Sequence, residues 1–98
     1  MKVEQFYSKN QFRLYGEGKN ILQSYNSVVV VIEYPKNGYK ITLGKDWNYS
    51  TTTSKYVYMF LEEFLPSDIV NFDNKTNKRK YVEKLIEDNV IGYDNELR

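Results

Sequence analysis

The segment Tyr34-Pro35-Lys36-Asn37-Gly38-Tyr39 constrains this chain most, because it turns the polypeptide back between two apolar runs. Proline fixes φ at the entry of the turn, and Asn-Gly tolerates the positive φ that hairpins use. Before it, residues 28–32 read Val-Val-Val-Val-Ile, apolar on both faces, which predicts a central strand covered on both sides. After it, residues 39–43 alternate strictly. Tyr39, Ile41 and Leu43 are expected on one face, with Lys40 and Thr42 on the other.

The same period of two extends toward the N-terminus. Phe12-Arg13-Leu14-Tyr15 alternates, and Gly16-Glu17-Gly18-Lys19-Asn20 supplies a turn. Residues 21–25 and 28–34 follow as strands. Asn26-Ser27 between them reads either as a tight turn or as a bulge in one long strand.

Beyond the polar, aromatic connection at residues 44–50 the period changes. Val57, Phe60, Leu61, Phe64 and Leu65 fall at i, i+3, i+4, i+7 and i+8, the stripe of an amphipathic helix. The hydroxyls at residues 50–54 supply its N-cap, and Pro66 ends it. Residues 67–73 carry Ile69, Val70 and Phe72 and read as a short helical turn closing the core. A second helix is expected from Asn74 or Thr76 to about Asn89, with Tyr81, Val82, Leu85 and Ile86 inward and Gly92 as its stop. The expectation is an α+β domain spanning residues 1–98: an antiparallel meander of about four strands followed by two helices packed on the sheet. Residues 1–10 and 93–98 are expected to be loose ends.

Composition narrows the chemistry. The chain has no cysteine and no histidine, which removes thiolate chemistry, the commonest general base and the commonest metal ligand together. A net charge of +1 argues against non-specific nucleic-acid binding as the main activity. No apolar stretch approaches a membrane span and no signal peptide is legible, so a cytoplasmic protein is expected. Alanine is absent while Asn, Lys, Tyr and Ile abound, a bias that fits an AT-rich gene from a low-GC bacterium or its phage. The ten tyrosines supply rigid contact area with a polar tip, suited equally to binding surfaces and to half-buried strands.

No motif carries catalysis. Gly16-Glu17-Gly18-Lys19 lacks the spacing of a phosphate loop and sits between two strands, so it reads as a hairpin turn. Glu62 and Glu63 are adjacent, diverge by about 100° on a helix, and form no acid/base pair. Among the hydroxyls of residues 50–54, the one nucleophile arrangement left is a serine with Lys55. The expectation is therefore no enzyme activity, no catalytic residue, no metal and no cofactor.

Two segments stand out as candidates for partner binding. The first contains Trp47, Asn48, Tyr49, Lys55 and Tyr56, where an indole, exposed hydroxyls and helix N-terminal amides converge. Its structural alternative has Trp47 plugging the seam between sheet and helix. The second is the start of the second helix, where Lys75, Lys78, Arg79 and Lys80 stand without an acid while Glu83, Glu87 and Asp88 come later. The helix dipole disfavours that order, so the basic end reads either as drift on a solvated face or as a surface kept for an anionic partner.

Ser24-Tyr25-Asn26-Ser27, then Thr42-Leu43-Gly44-Lys45-Asp46-Trp47-Asn48-Tyr49-Ser50, then Thr52-Thr53-Ser54-Lys55-Tyr56 and Phe60-Leu61 together resemble a family of short proteins from phages and mobile elements of low-GC Gram-positive bacteria. The resemblance runs from about Phe12 to Leu61 and leaves the tail after Pro66 uncovered. That family has no assigned function, so the resemblance implies a setting and no mechanism. In that setting the expected role is an inhibitory binding protein that occludes a host defence nuclease, anti-CRISPR-like, by protein–protein contact. The alternative is a nucleic-acid-binding or regulatory accessory protein using the basic helix start.

Overall fold

The computed structural model describes residues 1–97. Six strands form one sheet in chain order: β1 (Lys2–Phe6), β2 (Ser8–Gly16), β3 (Lys19–Ser24), β4 (Ser27–Glu33), β5 (Lys40–Gly44) and β6 (Gly92–Asp94). Neighbours are antiparallel up to β5, and β6 adds parallel to β5. Helices α1 (Thr51–Phe64) and α2 (Lys78–Glu87) lie between β5 and β6 in the chain.

The α+β class stands, with six strands in place of about four. The two additional strands come from the ends. Residues 1–10, which carry no alternating apolar pattern, form β1 and open β2, with Tyr7 and Asn10 at positive φ. Residues 92–94 pair with β5, so Gly92 begins a strand and is no helix stop. Arg98 lies outside the described residues.

Turn chemistry explains the meander. Glu17 (φ 51°) and Gly18 (φ 77°) both take the left-handed region between β2 and β3, as a two-residue hairpin turn requires. Tyr25 (φ 55°) and Asn26 form the next turn, and a bulge also breaks the β3–β4 register between Leu22 and Gln23. The tight-turn reading of Asn26-Ser27 therefore holds, and the bulge in one long strand does not: β3 and β4 are separate strands, and the bulge lies within β4 at Val29. The loop between β4 and β5 is longer than the expected tight hairpin. It leaves residues 34–39 outside the strands, with Gly38 at φ 130°. Tyr39 consequently precedes β5 and meets Tyr34 edge-on at 5.8 Å, while Ile41 and Leu43 are buried as expected.

Ser50 caps α1, its hydroxyl accepting from the Thr53 amide at 3.1 Å. Asn77 caps α2, so that helix starts later than the sequence indicates. Asn89, at φ 61°, takes the stopping role expected of Gly92. Residues 67–73 form turns and no helix, yet Val70 and Phe72 are buried and close the core.

One face of the sheet carries that core. Leu22, Val30, Ile32, Ile41 and Leu43 pack with Val57, Phe60 and Leu61 of α1 and with Val82 and Leu85 of α2. Cross-strand pairs share a face, so the register fixes what points the other way. Val3 pairs with Leu14, Leu14 with Ile21, Ile21 with Val31, and Val31 with Thr42. None of these five belongs to the core cluster or packs against it. The double cover expected for β4 is thus absent among the described residues: helices cover one side only.

Candidate functional site

On its core side α1 buries Thr53, Val57, Phe60 and Leu61. A second stripe at the same spacing, Thr51, Ser54, Lys55, Tyr58, Met59 and Glu62, runs along another flank of the helix and lines an open groove of about 760 Å³. The opposite wall comes from Phe72 and from Lys78 and Arg79 at the start of α2, while Asn48, Tyr49 and Ser50 close the end. Two stretches of the chain, residues 48–62 and 72–79, therefore meet at one concave surface.

The groove is cationic. Lys55, Lys78 and Arg79 line it against a single carboxylate, Glu62. Neither helix has an acid in its first turn, so both positive helix ends stand uncompensated beside it. Arg79 is partly neutralised by Glu83 at 3.5 Å. Aromatic side chains supply the floor. The Tyr58 and Phe72 rings lie 5.5 Å apart, Phe72 meets Tyr81 edge-on at 5.3 Å, and Lys78 Nζ stands 5.8 Å from the Phe72 ring. Partial burial raises the Tyr58 phenol above its ordinary pKa. Tyr49 is 80% exposed at the rim.

The candidate residues from the sequence divide accordingly. Asn48, Tyr49, Lys55, Lys78 and Arg79 come together in the groove. Trp47 does not: at 4% exposure it belongs to the core, so the seam-plugging alternative holds and it offers no contact surface. Tyr56 packs half-buried against the core, with Lys55 Nζ 5.5 Å from its ring. Lys75 precedes α2 and covers the Tyr81 ring at 4.8 Å, and Lys80 is exposed away from the groove lining. The hydroxyls of residues 50–54 mostly serve the helix end: Ser54 donates to the Ser50 carbonyl at 2.9 Å, and Thr53 is 3.1 Å from Ser24 Oγ.

Sequence reasoning missed Ser54, Tyr58, Met59, Glu62 and Phe72. The signal existed, because residues 51, 54, 55, 58, 59 and 62 keep the helical period offset from the apolar stripe. It went unread because that stripe is mixed in polarity and has meaning only once a second element faces it. Glu62 and Glu63 diverge as expected: Glu62 reaches the groove, while Glu63 accepts a hydrogen bond from the Tyr7 phenol. Among the described residues no cluster of three or more Asp, Glu, His or Cys could hold a metal, and no helix is long and apolar enough to cross a membrane.

Residues 1–84 match the profile of a family of unknown function, DUF8033, and the chain belongs to that family. The match extends further in both directions than the Phe12–Leu61 stretch that carries the sequence resemblance. No curated protein and no solved structure matches the chain.

Proposed function

We propose that this protein is a binding module that acts by occluding a macromolecular partner, and that the groove between α1 and α2 receives an acidic protein segment. The carrying observation is the convergence of Asn48, Tyr49 and Lys55 from the start of α1 with Lys78 and Arg79 from the start of α2 onto one cationic, aromatic-floored surface. Tyrosine and arginine, both present here, are among the side chains from which binding hot spots are built. The basic start of α2 fits the same reading, since it forgoes helix-dipole stabilisation of about 0.3–1 kcal/mol per charge.

The partner class follows from setting. The AT-biased composition and the likeness to mobile-element proteins support a phage or mobile-element origin and action in the bacterial cytoplasm. There a host defence nuclease, such as a CRISPR effector, is the target of an occluding protein. At net charge +1 the chain does not mimic DNA, so inhibition works by blocking a protein surface or locking a conformation.

The test is a combined binding and cleavage assay with purified CRISPR effectors of low-GC Gram-positive bacteria. Wild-type protein should bind and inhibit, and the triple reversal K55E/K78E/R79E should lose affinity by about tenfold or more, mainly through association rate at low salt. Its stability should stay near wild type, because acids suit the helix N-terminus. Unchanged affinity in the triple variant removes the groove from the interface. Tighter binding to a single-stranded oligonucleotide than to any effector replaces this reading with the nucleic-acid one.

A further inference from the structure

The alternation of the N-terminal hairpin is inverted relative to the helices. Glu4 pairs with Arg13, and Arg13 with the core residue Leu22, so the helix side of β1 and β2 carries these charged groups beside the buried Phe6, which packs on α1. Arg13 is held there between the Tyr15 and Phe64 rings, at 4.0 and 4.4 Å, and bonds Asn20 at 2.9 Å. The apolar set of the same hairpin, Val3, Phe12 and Leu14, faces away from the helices. It continues through Ile21 and Val31 into a row crossing five strands. Val3 is left 63% exposed, while Leu14 and Ile21 are half-buried and Val31 is 9% exposed. A one-residue slip would have turned that set toward the helices, so the register maintains an apolar face toward solvent.

The charges beside this row say what covers it. Two residues further along the strands, and so on the same face, Lys19 of β3 pairs with Glu33 of β4, and Glu33 with Lys40 of β5, whose ammonium stands 3.8 Å from the Glu33 carboxylate. Consider a second copy packed open face to open face about a two-fold axis parallel to the strands, passing between β3 and β4. Strand β3 of each copy then lies over β4 of the other. Lys19 meets Glu33 of the second copy, twice by symmetry, and Ile21 meets Val31 of the second copy, also twice. Leu14 lies over Thr42, and Lys40 over the small Gly16. Sheets stacked about 10 Å apart leave room for Lys and Glu side chains to meet across the gap.

We propose that this protein forms a face-to-face homodimer through the open side of its sheet, with reciprocal Lys19–Glu33 pairs fixing the register. Five strand spacings of about 4.8 Å and three residue rows give a contact of roughly 300–450 Å² per copy. That is below the standard interface of about 800 Å² per partner, so the dimer is weak and concentration-dependent. Both α1–α2 grooves remain on the outside. The dimer is thus bivalent for whatever the groove binds, and its formation does not depend on that reading.

Sedimentation equilibrium across about 10 μM to 1 mM tests the proposal directly. Wild-type protein should pass from monomer to twice the monomer mass within that range. K19E places two acids against each other and E33K two bases, so each variant alone should dimerise at least about tenfold more weakly. An equimolar mixture of the two variants should recover dimers, because each heterodimer regains both opposite-charge pairs. Chemical-shift changes of the wild type on dilution should centre on Leu14, Ile21 and Val31 and spare α1, a readout that needs no variant. A wild-type protein that stays monomeric to 1 mM, a mixture that fails to recover dimers, or dilution shifts centred on the helices each overturn the proposal.

Discussion

The two faces of this sheet are built from similar residues and have opposite fates. On one, Leu22, Val30, Ile32, Ile41 and Leu43 disappear beneath α1 and α2; on the other, Val3, Leu14, Ile21, Val31 and Thr42 form an equally regular row with no helix over it. Strand β4 shows the contrast within a single element. Its bulge rotates Val29 and Val30 into the core, while Val31, its neighbour, is 9% exposed without joining that core. Burial and core membership are therefore separate properties here. An apolar residue can be shielded by adjacent strands and still present a surface to which something docks.

Side-chain truncation offers the strongest way to break this contrast. Phe60 sits at the centre of the covered face, against Phe6 at 5.2 Å and Phe64 at 4.8 Å. Phe60→Ala should cost about 3–5 kcal/mol in denaturant unfolding, through lost transfer energy and the cavity left behind. Ile21→Ala on the open face, measured in dilute solution where no dimer forms, should cost less than about 1 kcal/mol. Equal losses at the two positions would mean that the open face contributes to a hidden core, and the distinction would collapse.

How much of this was legible follows from the same residues. The helical stripe of α1 and the strand alternation at Ile41 and Leu43 could be read directly, because each depends on local period alone. The apolar run at residues 28–32 was read as doubly covered, since a sequence shows that both faces are apolar and not what lies over them. Strands β1 and β6 were invisible for another reason. Their sequences have little apolar alternation, and they exist because an adjacent strand edge offers backbone hydrogen bonds to pair with.

A smaller effect sharpens the contrast at Gly44. A Cβ there would lie 2.3 Å from the Val28 carbonyl oxygen and 3.5 Å from Leu97 Cβ. Relief requires β4 and β5 to separate, so Gly44→Ala should destabilise by about 1–3 kcal/mol. Loss of stability without any cavity would show that the open face is constrained by backbone approach, whereas the covered face is constrained by packing volume. A neutral outcome in thermal unfolding would show that β4 and β5 adjust freely.

The smallest expected effect lies where the hairpin meets α1. The hydrogen bond to Glu63, and then its charge, raise the pKa of the Tyr7 phenol, and burial raises that of Tyr58. A raised phenol pKa adds stability that is complete below the ordinary value of about 10 and is lost as the pH climbs through the folded-state value. Ultraviolet titration should therefore find two late-ionising tyrosines, and Tyr7→Phe should remove one of them. A Tyr7→Phe variant that keeps the same late-ionising signal as the wild type would contradict the contact between β1–β2 and α1.

The sequence by itself determined the α+β class, the meander order from β2 to β5, the N-cap region of α1 and the cationic start of α2, because period, turn residues and capping act over a few neighbouring positions. Tertiary structure alone decided that Trp47 fills the core and not a binding edge. It also decided that Lys55 and Arg79 share one groove, and that the hairpin of β1 and β2 turns Val3, Phe12 and Leu14 away from both helices while Phe6 enters the core. Those outcomes depend on which elements face each other across tens of residues, and on the sheet register that sets the direction of every side chain at once.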